Sequence, residues 1–293
     1  MAGFRLKMAT LHGEKIAEEF GFTQFPIDPK EIARRKEIEV VAKPADLKGV
    51  SGAIIFAGDA VTIIYSNEFQ NTGFENFSIA HELGHYFLPG HPEEIGTQGG
   101  SHVSRADFTQ STSIELEADH FASGLLMPTT LVRRFLSRNQ IGLEGILKLA
   151  DKAGCSCTSA AIRAAEVGAY PIAVIVSQGE HIAYSFTSNS FKELGKLAFL
   201  KKGTPLPDSE TLRFNRDPSN VQLARRITAE TTLQVWFDCP NALALDEEVI
   251  GLGKYGYALT VLTSEALPED PSEHEDEDTQ LEEQWTPRFA YRR

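Results

Sequence analysis

Apolar residues fall at helical spacing in some stretches of the chain and at alternating spacing in others. Over residues 9–20, Leu11, Ile16, Ala17 and Phe20 lie on roughly one side of a helix that Gly21 closes. Asp28-Pro29 opens a second helix to about residue 36, with the aspartate as N-cap and the proline at the first helical position. Residues 39–43, 53–56 and 61–65 read as strands, the last two joined by a turn at Gly58-Asp59. Helical spacing returns from about residue 72 and stops at Pro89-Gly90. The polar stretch 91–113 reads as a long loop, and 113–127 as the next helix, ended by Met127-Pro128.

Beyond that point, residues 143–165 give helix, glycine-containing turn, helix, with Ala150 and Gly154 where a helix-turn-helix pattern wants small residues. Only Arg163 lies near the middle of the second helix, so packing is expected of it rather than reading of a DNA groove. After residue 170 strands are expected on both sides of a turn at Gly179-Glu180, and again at 231–237 and 257–262. The predicted class is α+β, in four parts. They are a first domain over 1–128, a helix-turn-helix-like helical segment over 129–168, an α/β domain over 169–267 and an acidic, disordered tail over 268–293.

Chemistry concentrates in FSIAHELGHY, residues 77–86. His81 and His85 are four apart, so both imidazoles can reach one metal ion from one helix face. Glu82 stands beside the first histidine, placed to take a proton from an attacking water. This is the HExxH arrangement of zinc peptidases. Such a site needs a third protein ligand. On the next helix Glu115 and Asp119 share a face, one fit to be the ligand and the other to buttress a metal-bound histidine. Glu117, about 200° around that helix from Glu115, is the alternative ligand. Candidates for contact with the transition state are Tyr86, His102 and His120. Two histidines and a carboxylate suit zinc, and also accept manganese.

Charge and cysteine usage narrow the setting. The net charge is −13, but residues 268–283 hold nine acids and no Lys or Arg, and the last ten residues hold three arginines. An acidic tail of this kind says little about the surface of the rest. Three cysteines (Cys155, Cys157, Cys239) make no disulfide framework, which points to a reducing compartment. No apolar run approaches a membrane span, and the first residues lack a signal-peptide core, so a cytoplasmic protein is expected. Lys192, Lys196, Lys201, Lys202, Arg213, Arg216, Arg225 and Arg226 are interleaved with Phe186, Phe191, Phe199 and Phe214. Basic groups with stacking aromatics suit single-stranded nucleic acid. The competing reading is a solvated charged face over a phenylalanine core.

Ser51-Gly52, Asn67, FSIAHELGHYFL and ELEADHFASGLLMP occur in order, and over residues 9–128 the chain resembles the ImmA/IrrE family of bacterial zinc metallopeptidases. The resemblance implies a thermolysin-like minimal zincin core. It makes His81, His85 and Glu115 zinc ligands and Glu82 the general base. It also implies a helix-turn-helix repressor as substrate, cleaved to derepress a stress or anti-phage operon. For the C-terminal part it implies a GAF-like sensor, activated by a DNA-damage signal such as single-stranded DNA. The acidic tail is expected to cover the basic surface when no nucleic acid is present. The alternative is a non-catalytic regulator that binds DNA or a repressor and keeps the metal for structure. Oligomeric state is not legible.

Overall fold

Residues 2–43, 49–68, 71–105, 113–139, 142–168, 170–195 and 197–264 are described by the computed structural model. They fall into two units. The first comprises the described residues of 1–131 and 150–156, the second those of 132–149 and 157–264. Lys196 and the tail after residue 264 lie outside the described residues.

The first unit is built from α1 (Ala2–Glu19), α2 (Pro29–Arg35), β1 (Glu39–Ala42), β2 (Val50–Ala57), β3 (Ala60–Tyr65), α3 (Thr72–Phe87), α4 (His91–Thr97), β4 (Ser101–Arg105) and α5 (Ser113–Leu126). Its sheet runs β1-β3-β2-β4, with β1 parallel to β3 and the other pairs antiparallel. Ile54 on β2 sits opposite both Ile63 and His102, which fixes the register of β4 and the place of that histidine. Asp28 accepts from the backbone of Lys30, the cap expected for α2, and Asn71 accepts from that of Phe74 and caps α3.

Two differences from the sequence reading stand out here. α1 begins seven residues early, because Phe4, Met8 and Leu11 are exposed and blur the apolar stripe formed by Leu6, Ala9, Ile16 and Ala17. The expected loop after residue 90 is instead α4 and β4. Gly90, at φ +89°, turns the chain, and Pro92, Glu93 and Glu94 then suit a helix start. β4 carries little pattern of its own and exists through pairing with β2.

Three close backbone approaches position the helices. A Cβ on Gly13 would meet the carbonyl of Phe121, and one on Gly124 the carbonyl of Thr10, so α1 and α5 touch backbone to backbone. A Cβ on Gly84 would lie 3.0 Å from the Cα of Ala118, a looser approach that still brings α3 against α5. Glycines at those crossings are therefore part of how the two histidines come to face the acids of α5.

The chain continues through α6 (Thr129–Leu136), α7 (Leu143–Ala153) and α8 (Cys157–Val167). Arg163 on α8 is 4 % exposed and paired with Glu166 at 3.2 Å, so the one basic group of that helix points inward. Then come β5 (Ile172–Gln178), β6 (His181–Thr187), α9 (Asn189–Lys192), α10 (Glu210–Arg216), α11 (Pro218–Gln222), β7 (Arg226–Thr232), α12 (Leu233–Trp236), β8 (Ala244–Gly251) and β9 (Ala258–Thr263). They give an antiparallel sheet in the order β6-β5-β9-β8-β7. Phe191, Leu212, Leu233, Trp236, Phe237, Leu245 and Leu262 form its main core. The strand expected at 231–237 gives way after Thr232 to a turn of helix, which buries Leu233 and Trp236 together. β8 escaped the sequence reading because Glu247, an acid, points inward. Its carboxylate accepts from Thr211 (2.6 Å to the backbone, 2.7 Å to the hydroxyl) and from the Trp236 indole at 3.3 Å.

Candidate metal centre

The pair His81 and His85 on α3 is fully inside the first unit, and its Nε2 atoms converge to 3.1 Å. Glu115 arrives from α5, with Oε1 at 3.2 Å from His85 Nε2 and Oε2 at 3.6 Å from His81 Nε2. One ligand atom from each of the three residues lies within 4.8 Å of the others. Ligands at about 2.0–2.2 Å in tetrahedral array stand roughly 3.3 Å apart, so these edges fit one zinc-sized ion. Glu115 is thus the acid that joins the histidines, and Glu117 faces elsewhere, held by Arg5 at 2.9 Å.

Asp119, one turn on from Glu115, accepts from His81 Nδ1 at 2.8 Å. That bond fixes the far nitrogen of His81 and leaves Nε2 for the metal side. His102, on β4, donates from Nε2 to Glu115 Oε1 at 2.6 Å, and its ring lies 4.5 Å from that of His85. Of the three candidates for transition-state contact, His102 is the one whose side chain reaches the cluster. His120 hydrogen-bonds Thr10 at 3.1 Å and belongs to the α1–α5 crossing. Tyr86 packs edge-on against Phe87.

The electrostatics follow from burial and neighbours. Burial alone would raise the pKa of Glu115, but His102, His81 and His85 together hold it far below the carboxylate range. Burial opposes charge on His81, and its bonds to Asp119 and Glu115 outweigh this, so its pKa is raised. His85 is pushed down to about 3, chiefly by burial, and stays neutral, the form in which an imidazole can take a metal. Glu82 is fully buried, and among the described residues neither of its carboxylate oxygens has a hydrogen-bond partner of good geometry, with the Ser104 hydroxyl near enough to act on it. Burial pushes its pKa up to about 7, against the nearby His81, Ser104 and His102. A buried acid poised near neutrality beside a pair of histidines able to hold a metal is the arrangement proton transfer asks for. Room for Glu82 comes from Gly52 on β2, where a Cβ would stand 2.5 Å from its Oε1.

Residues 33–165 match the family described as the IrrE N-terminal-like domain, a metallopeptidase family. The chain carries an IrrE N-terminal-like domain. That domain spans every element from β1 to β4 and α5, and so all the side chains gathered at the centre. A Mycobacterium tuberculosis transcriptional regulator has a similar fold, with a TM-score of 0.54 at 16 % identity over 87 % of this chain and 76 % of that one. No curated protein matches the chain. Among the described residues no helix is long and apolar enough to cross a membrane.

The basic groups beyond the IrrE N-terminal-like domain are mostly engaged. Arg213 pairs with Glu210 and Asp208, Arg216 with Glu180, and Arg226 with Glu144 at 3.8 Å, while Arg225 bonds Asn220. Lys192 bonds Asn189, and Lys201 and Lys202 are exposed. Phe191 and Phe214 are core residues, whereas Phe199 is 58 % exposed. Sequence reasoning missed the part played by His91. It is buried on α4 with its Nδ1 3.1 Å from His85 Nδ1, and the only signal was a third histidine six residues after His85.

Proposed function

We propose that this protein is a zinc-dependent endopeptidase that cleaves a helix-turn-helix transcriptional repressor and so derepresses a stress or anti-phage operon. The observation that carries the hydrolytic reading is the buried Glu82, without a hydrogen-bond partner among the described residues, beside a His81–His85–Glu115 cluster of metal-binding geometry. A metal kept for structure has no need of such an acid, which disfavours a purely non-catalytic regulator. Zinc, when bound, supplies a Lewis acid that polarises the scissile carbonyl. Glu82 takes the proton of the attacking water at a carboxylate oxygen and passes it to the leaving amine. His102, on β4 next to the site, offers the developing oxyanion the N–H that its Nε2 otherwise gives to Glu115. β4 is an edge of its sheet, so an extended substrate can add to it as a further strand. The C-terminal unit serves as a GAF-like sensor, with single-stranded DNA as the activating ligand. The repressor target rests on the IrrE-type family and on a fold shared with a transcriptional regulator.

Glu82→Gln keeps the three metal-binding residues and removes the base. The expected result is native zinc content with cleavage of a helix-turn-helix repressor substrate lowered by on the order of 10²–10⁴-fold. Running the native chain with and without single-stranded DNA tests the sensor in the same assay. Full cleavage by the zinc-loaded variant removes Glu82 from its role. A native chain that binds the repressor but never cuts it returns the protein to the regulator class.

A further inference from the structure

His91 stands just past the end of α3, and the turn at Gly90 swings its ring over His85, with ring centroids 5.2 Å apart. Its ring is 1 % exposed. Nδ1 lies 3.1 Å from His85 Nδ1, and Nε2 faces Glu117 Oε2 at 3.5 Å with no shorter partner among the described residues. Glu117 is itself buried, and Arg5 on α1 donates to both of its oxygens at 2.9 and 3.1 Å.

A neutral imidazole carries one N–H and one lone pair. His85 turns Nε2 towards His81 and Glu115, so its lone pair belongs there and its proton on Nδ1. That N–H meets another ring nitrogen, which must therefore offer a lone pair. His91 is then protonated on Nε2, and this N–H points at the carboxylate of Glu117. The opposite assignment fails at both ends. It sets an N–H of His85 into the metal side, and it leaves a lone pair of His91 facing a buried carboxylate. One choice of tautomers satisfies the whole line, and its far end is an ion pair that keeps Glu117 an acceptor.

We infer that His91 is a positioning residue for His85, held in its tautomer by Glu117 and Arg5. The two metal-binding histidines are thus oriented by different devices. Asp119 accepts directly from His81, while His85 donates to a neutral ring with a carboxylate behind it. Arg5 lies outside the segment that matches the IrrE N-terminal-like family, so α1 extends the support of the centre beyond that domain. The inference rests on the reading of His81, His85 and Glu115 as zinc ligands.

The test uses the full chain with His91→Ala, His91→Gln and Glu117→Gln. Zinc affinity is measured by chelator competition, and ring tautomers by long-range ¹H–¹⁵N correlation of the zinc-loaded protein. Loss of such an outer partner typically costs 10–100-fold in metal affinity, which is the expected effect of His91→Ala. His91→Gln offers an amide oxygen to His85 Nδ1–H and should recover at least part of it. Glu117→Gln keeps an acceptor and should cost less than His91→Ala. The native spectrum should show protons on His85 Nδ1 and His91 Nε2. A proton on His91 Nδ1, or native zinc affinity in His91→Ala, overturns the inference. So does an equal loss in the alanine and glutamine variants, the mark of a role in packing alone. If the native chain binds no zinc, the zinc reading itself has failed, and that outcome is separate from the others.

Discussion

Glu82 is costly to the chain when no metal is bound, because its carboxylate is buried with no hydrogen bond from the described residues. The native metal-free state holds its proton up to about pH 7, whereas an unfolded glutamate releases it near 4.5. Between those values the native state binds more protons than the unfolded one, so this group makes stability fall as pH rises through the window. The size is about 3 kcal/mol across the shift from 4.5 to about 7. Glu82→Gln does not titrate. Compared with the parent in denaturant unfolding of chelator-treated protein, the variant should therefore gain on the order of 2–3 kcal/mol of relative stability between pH 4.5 and pH 8. A difference between the two proteins that stays flat over this range would mean that Glu82 is solvated or partnered. Taking the difference between the two proteins matters, since His85, with its pKa pushed down to about 3, destabilises the metal-free chain as pH falls below 6.5 and masks part of the effect in either protein alone.

At the level of elements, β2 and α3 are joined by one missing side chain. Gly52 leaves the space that Glu82 fills, and a methyl there would press on the end of a flexible side chain rather than on backbone. Gly52→Ala should thus fold and bind zinc as the parent does, since none of His81, His85 and Glu115 is touched. Cleavage should fall by about 100-fold, the scale of a displacement of roughly 1 Å at a reacting group. Peptidase assays beside zinc titrations separate the two effects, and an unchanged rate would show that Glu82 has slack. Much of this region could be read from the chain. The i, i+4 histidines, the Asp28 cap, the Gly58-Asp59 turn and the Glu115–Asp119 pair are all local patterns, and local patterns survive folding. What escaped depends on partners distant in sequence. β4 is a strand because β2 lies beside it, His102 reaches Glu115 because of that pairing, and β8 hides its inward acid under a bond from Thr211 thirty-six residues away.

Across the whole molecule, the metal centre and the basic residues belong to different units, and the support for their roles is unequal. The IrrE N-terminal-like match ends at residue 165, and beyond it the sensor proposal is tested against the chemistry of the second unit. That chemistry is selective. Arg213 and Arg216 are matched by Asp208, Glu210 and Glu180, whose carboxylates would repel a phosphate brought alongside. Phe191 and Phe214 are sealed in the core and offer no ring face. Phe199 and Lys201 lie together in sequence and are exposed, so a strand of DNA held by this unit should be held there. In anisotropy titrations of the full chain with labelled oligo(dT), Phe199→Ala should therefore weaken binding by about 1–3 kcal/mol, the value of one stacked base. Lys201→Ala should lower the slope of log affinity against log salt by about 0.7, the share of one phosphate contact in a single strand. Arg213→Ala should change little, because the guanidinium it removes is already spent on two acids. Equal losses at Phe199 and Arg213 would move the surface elsewhere, and no binding of native protein even at low salt would leave the second unit to sense something other than DNA.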